Sequence, residues 1–273
     1  MSAWGAGLYS DDSALETRTL TKVMLSLPLS LEEITDRVLN AAEDPMVATL
    51  VLADTLETRG ISHPPVMISA QKIIASGQDV ERLRALGLPD RDLHRRGVIL
   101  KDLAQRLMDP RPEVPRKTLT APKPMLLKVG EVCRLPHEGG RVGGDFEYPG
   151  QLETGWRFVQ VIDAGHAFGY LSWYRLSALN WLETEPPMLE DAARALRYSA
   201  PGIGTLTLGQ RRSLGFERLG LAPLPSCYWP TPPDLAQFAA IHDIGIEKWF
   251  NYGGYDDNGP LLEPQRHYDW DAV

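Results

Sequence analysis

The first chemistry to test lies near the end of the sequence. In "HYDWD", His267, Asp269 and Asp271 alternate, so an extended backbone would point all three to one side as mixed nitrogen and oxygen donors. Three ligands beside the last residue make a poor cage, and a solvated acidic stretch is expected there, with no metal site. "YDDNGPLLE" resembles a calcium loop, but Gly259 comes two positions too early for that geometry. Nucleophilic catalysis would need Cys133 or Cys227 beside a base. Cys133 lies inside an alternating apolar run, Cys227 sits in the turn-like "LPSCYWP", and His166, His242 and His267 are remote in sequence. No G-x-S-x-G elbow is present. Among the 24 glycines, those at 202, 204 and 209 miss the dinucleotide spacing by two positions, and "GGRVGGD" lacks the Lys-Ser/Thr pair of a phosphate loop. Both read as turns. No catalytic residue and no cofactor is assigned.

A different chemistry, recognition, is written into the last 40 residues. They hold two basic residues, Lys248 and Arg266, against eight acidic ones, whereas residues 1–120 carry 15 Lys/Arg against 17 Asp/Glu and residues 121–233 carry 11 of each. Most of the net charge of −8 is therefore concentrated in one segment. Interleaved with the acids are Trp249, Phe250, Tyr252, Tyr255, Tyr268 and Trp270. Rigid aromatics give contact area at low entropic cost, and carboxylates around them select a basic partner. The candidate partner-binding residues are Trp249, Tyr252, Tyr255, Asp256, Asp257, Asp269, Trp270 and Asp271. Such a segment repels nucleic acid. The blander alternative is that the aromatics pack back onto the rest of the chain and the acids keep that face wetted.

The elements that must position such a segment divide at a proline-rich stretch. "SLEEITDRVLNAAE" reads as a helix capped by Ser30, with Glu33 placed for a capping box. "DPMVATLVLADTLETRG" has Asp44 as N-cap, Pro45 at the first helical position and Gly60 as its stop, and its apolar residues nearly encircle the axis. "PPVMISAQKIIASG" gives a further helix ending at Gly77, and stretches near 79–86 and 90–108 supply two more. Residues 1–108 are thus expected to form a helical bundle. Residues 109–124 contain five prolines and read as a semi-rigid linker. Beyond it, "MLLKVGEVCRLP", "WRFVQVIDAG" and "HAFGYLSWYRL" are short β-branched and aromatic runs. "ETEPPMLEDAARALRY" reads as an inserted helix, and "GIGTLTLGQRRSLGFERLGLAPLP" returns to strands and turns. Residues 125–273 are expected to form an antiparallel β-sheet or a small, partly open barrel with that inserted helix, giving an α+β protein.

The opening "AWGAGLYSDDSAL" precedes all of this. Gly5 and Gly7 would let the chain bend around Trp4, Asp11 or Asp12 would cap a helix starting near Ser13, and Trp4 and Tyr9 would plug the bundle. The alternative is a pocket formed by the Asp pair and the indole. Trp4, Gly5, Gly7, Tyr9, Asp11, Asp12 and Ala14 fit the pattern W-G-x-G-x-[Phe/Tyr]-x-[Asn/Asp]-D-x-A, which resembles the N-terminal signature of a poorly characterised bacterial family. That resemblance spans about the first hundred residues and implies no activity. The strand rhythm of "KVGEVCRLP", "GWRFVQVID" and "AFGYLSWYRL" resembles the β-rich immunity proteins of bacterial polymorphic toxin systems. It implies a non-enzymatic protein that occludes a toxin.

Two cysteines do not build a disulfide framework; two buried thiols in a reducing cytoplasm are expected, a single Cys133–Cys227 bridge being the other reading. No basic stretch followed by an apolar run opens the chain, and no run of about 20 apolar residues could cross a bilayer. The expectation is a cytoplasmic protein that binds a basic protein partner, with no nucleic acid and no membrane. The competing expectation is an enzyme or small-ligand binder with a site at the domain junction, using Asp11, Asp12, Cys227 or the histidines.

Overall fold

The computed structural model describes residues 5–138, 154–179, 185–193, 195 and 202–224. Contacts divide the chain into two compact units at Thr120/Ala121. The protein is α+β: among the described residues, six of the seven α-helices lie in the N-terminal unit and an open antiparallel sheet in the second.

Among the described residues the first unit holds six helices: α1 (Asp12–Met24), α2 (Leu31–Ala41), α3 (Pro45–Thr58), α4 (Pro64–Ser76), α5 (Gln78–Ala85) and α6 (Asp90–Met108). Local chemistry sets their ends. The Ser30 hydroxyl accepts from the Glu33 amide at 3.1 Å. Asp44 accepts from the amides of Met46 and Val47 at 3.0 and 3.1 Å, and Pro45 occupies the first position of α3. Gly77 closes α4 in the left-handed conformation, φ 73°. In α3, residues 47–53 and 55–57 are all buried, and the helix packs against α1, α2, α4 and α6. A helix apolar around most of its circumference is stable only when surrounded.

The proline-rich stretch behaves differently from a free linker over its first part. The Val114 amide donates to the Gly60 carbonyl at 2.8 Å, the Leu119 amide donates to the Ser26 carbonyl at 2.8 Å, and Arg116 donates to the Leu29 carbonyl. Residues 109–120 therefore run as a strap bonded to the helical unit. Because proline lacks an N–H, only the intervening residues can tether the strap through backbone donors.

Among the described residues the second unit holds five strands: β1 (Glu131–Glu138), β2 (Thr154–Ala167), β3 (Leu171–Leu179), β4 (Gly202–Gly204) and β5 (Glu217–Leu221). Their order is β4-β3-β2-β1-β5, every pair antiparallel, so among the described residues β4 and β5 are edges and the sheet is open, not closed into a barrel. "HAFGYLSWYRL" is two elements, split by a turn in which Phe168 and Gly169 have φ of 53° and 74°. Two successive positive φ values match the twist of a hairpin. One face buries Cys133, Leu135, Val159, Val161, Tyr174 and Leu176 with Leu206 and Phe216; the other buries Val132, Phe158 and Leu179 with Ala192.

Two sequence expectations change here. The helix expected over "ETEPPMLEDAARALRY" is, among its described residues, a short 3-10 helix, Leu189–Ala193; Pro186 and Pro187 precede it, and Asp191 accepts from the Met188 amide at 2.8 Å. The stretch read as strand and turn holds a helix, α7 (Leu208–Ser213), begun by a Thr207–Gln210 capping box. Gly202 and Gly204 lie in β4, and Gly209 lies inside α7.

Candidate functional site

The residues of the opening motif enter two clusters of charge in the helical unit. Asp11 is the N-cap of α1, accepting from the Ser13 amide at 2.9 Å, whereas Asp12 is its exposed first residue. The other oxygen of Asp11 pairs with Arg82 at 3.1 Å. Arg82 also meets Asp44 at 3.5 Å and Asp79 at 3.7 Å, so one guanidinium joins the caps of α1 and α3 to α5. Asp79 is held in turn by a fork from Arg96, with Nε to Oδ2 at 2.7 Å and Nη2 to Oδ1 at 3.1 Å. Both side chains are buried, with exposures of 1% and 3%. The remaining arm of Arg96 donates to the Gly7 carbonyl at 2.7 Å. A buried pair of this kind holds only with its hydrogen bonds complete, and the Gly7 carbonyl completes this one.

The second cluster gathers around Tyr9. Its ring packs on Ala14, Val47 and Val51, and the Arg18 guanidinium lies 4.2 Å from the ring centroid. Its hydroxyl donates to Asp54. Asp54 also accepts from Arg106 at 2.6 Å; Arg106 pairs with buried Glu57 and reaches Asp102 at 3.1 Å, and Arg111 of the strap meets Glu57 at 3.2 Å. Burial, then the hydrogen bond to Asp54, pushes the Tyr9 phenol from 10.0 up to about 12. It is a protonated donor throughout the physiological range. Burial alone would lower Arg106, but its hydrogen bonds to Asp54 and Asp102 outweigh that and raise it.

The glycines act otherwise than by unusual backbone angles. Neither Gly5 nor Gly7 is among the positive-φ residues. A Cβ on Gly7 would stand 2.7 Å from Ser10 Oγ, in a turn closed by the Ser10 amide on the Gly7 carbonyl at 3.1 Å. Close approach, not φ, favours glycine there, since a Cβ would force the Ser10 hydroxyl to another rotamer. Tyr9, Asp11 and the Gly7 carbonyl thus clasp the start of the chain to α3, α5 and α6. Trp4 lies outside the described residues.

Several other candidates fall outside them too: Cys227, His242 and His267, "GGRVGGD", "YDDNGPLLE", and the whole partner-binding set Trp249, Tyr252, Tyr255, Asp256, Asp257, Asp269, Trp270 and Asp271. Cys133 is buried in the sheet core as a free thiol, and burial, followed by the charge of Glu131, raises it from 9.0 to about 12. A thiol so far above its ordinary range is a poor nucleophile. His166 Nε2 lies 2.7 Å from the Lys123 carbonyl. Among the described residues, no cluster of His, Cys, Asp or Glu is arranged to hold a metal ion, and no helix is long and apolar enough to cross a membrane.

The arginines that organise the motif were not singled out in the sequence, although one signal was there. Leu93, Arg96, Leu100, Leu103 and Leu107 are the buried stripe of α6. A charged residue on such a stripe demands a buried partner. Which carboxylate supplies it depends on tertiary packing. Compared with known protein families, with curated proteins and with solved structures, the chain matches none.

Proposed function

We propose that the chain is a non-enzymatic cytosolic interaction protein that binds and occludes a basic protein partner, as an immunity protein occludes its toxin. The observation that carries this reading is charge segregation: the last 40 residues hold eight acidic residues against two basic ones, interleaved with rigid aromatics. Such a composition draws in a cationic surface and gives it large anchors to bury. The opening motif supports the reading indirectly. Asp11 caps α1 and pairs with Arg82, and Tyr9 donates to Asp54, so these groups hold the fold together. The competing reading, a ligand site built on the Asp pair, would have to share Asp11 with the Ser13 amide and Arg82.

The test compares the full chain with its D256N/D257N/D269N/D271N variant as baits in lysate of the source cell. The proposal expects one basic protein retained near 1:1 by the full chain, released by salt and lost from the variant. Its recovery in equal amount with the variant, or no stoichiometric partner with either bait, would overturn the assignment.

A further inference from the structure

The second unit carries an open cleft lined by residues outside the opening motif. Its volume is about 310 Å³, and Leu208, Arg211, Arg212, Gly215 and Phe216 line it. Local sequence builds it. The capping box starts α7, and Gly215, φ 64°, reverses the chain after the helix. The Phe216 amide then donates back to the Arg211 carbonyl at 3.2 Å. That reversal tucks Phe216 into the sheet core while Leu208 stays half-exposed at 47%. The cleft therefore combines Leu208 and Phe216 with two consecutive arginines, Arg211 and Arg212.

Those guanidinium groups stand apart from others in the same unit. Arg134 pairs with Glu217 at 2.7 Å, Arg218 with Glu131 at 2.8 Å, and Arg175 lies 3.7 Å from Asp163. Neither Arg211 nor Arg212 has a side-chain hydrogen bond or ion pair among the described residues. Their place in the last turn of α7 suits the helix dipole. Arg211 is half-buried and Arg212 is exposed. Planar forks of this kind match carboxylate or phosphate oxygens two at a time. The volume lies at the lower end of the range for small-molecule sites.

We propose that this cleft binds an oxyanion, a carboxylate or a phosphate, carried on a small apolar arm. The oxygens face Arg211 and Arg212, and the arm lies against Leu208 and Phe216. This binding requires neither the acidic segment nor its partner, so either proposal can fail without the other.

The experiment is a titration of the full ¹⁵N-labelled chain with phenylacetate, phenyl phosphate, inorganic phosphate and benzyl alcohol. The amides of Gly215 and Phe216 and the Nε–H groups of Arg211 and Arg212 are followed by NMR. Saturable shifts with one or both phenyl anions are expected, centred on these groups, with affinity weakened by about tenfold or more in R211Q/R212Q. The stronger of the two anions identifies the oxyanion. An R211K/R212K variant keeps the charge without the fork, and binding intermediate between the wild type and the glutamine variant is expected. The proposal is overturned by shifts that stay linear to about 20 mM, by shifts retained in R211Q/R212Q, or by equal binding of benzyl alcohol. Inorganic phosphate binding as tightly as the phenyl anions would also overturn it, because the apolar arm would then contribute nothing.

Discussion

The helical unit and the sheet unit solve the same problem with different chemistry. In the first, arginines from α5 and α6 reach carboxylates on α1, α3 and α5, and the opening segment is clasped by the same groups. In the second, the two core clusters are apolar, with Gln160 buried beside them and donating to the Ala222 and Pro223 carbonyls. Arg175 and Asp163, 3.7 Å apart, are mostly buried, whereas Arg134–Glu217 and Arg218–Glu131 each include a partner at least 40% exposed. The difference follows from geometry. A sheet presents two flat faces that apolar side chains cover by alternation. Short helices of modest apolar content leave polar positions on their packed faces, and those positions must be paired.

Breaking each kind of centre separates the two. Arg96→Ala leaves Asp79 buried without its fork, which costs about 3–5 kcal/mol. Leu176→Ala in the sheet core costs about 2–5 kcal/mol through lost burial and a cavity. Urea unfolding measures both, and hydrogen exchange should place the loss in α1, α5 and α6 for the first and in β2 and β3 for the second. The contrast lies in rescue. Asp79→Leu combined with Arg96→Met should recover most of the loss, because apolar groups of similar volume often replace a buried pair without penalty. If the double variant is as unstable as Arg96→Ala alone, packing of the guanidinium and not its charge is what matters.

Alkaline pH gives a smaller effect in both units. The Tyr9 phenol is raised from 10.0 to about 12, so its contribution is complete below pH 10 and is lost as the pH climbs toward 12. The Cys133 thiol is raised from 9.0 to about 12, so its window opens earlier, near pH 9. Urea midpoints measured from pH 8 to 12 should fall less steeply for Tyr9→Phe above pH 10 and for Cys133→Val from pH 9. Slopes identical to the wild type would remove these two groups as the cause.

The smallest effect tests the local signals. Gly77 has φ 73° and open space where a Cβ would stand, so Gly77→Ala should cost only the backbone term, about 1 kcal/mol. Gly220 in β5 has φ 155°, and a Cβ there would lie 2.6 Å from Leu189 Cδ2. Gly220→Ala should therefore cost more than Gly77→Ala in the same assay. Equal costs would mean that Leu189 swings away freely.

Much of the helical unit was legible because capping chemistry acts within a single turn. Ser30, Asp44, Pro45 and Gly77 each mark an end within a residue or two of where it lies. The same rule could have found α7, since Thr207 and Gln210 stand at capping-box spacing in a stretch otherwise read as strand. The strand runs were equally visible, although the Phe168–Gly169 turn divides one of them. Alternating apolar residues in β1 and β2 identify strands but do not name their neighbours.

What the sequence determined by itself was the division into a helical and a β-rich half, most element ends, and the concentration of negative charge in the last 40 residues. These depend on contacts a few residues apart or on composition alone. Tertiary structure decided which groups meet: Tyr9 with Asp54, 45 residues away; Arg82 with Asp11, 71 away; Arg96 with the Gly7 carbonyl, 89 away. It also decided that β5 lies beside β1 and that Arg211 and Arg212 border Phe216. Partner choice over such separations is set by which faces bury together. No local propensity encodes that.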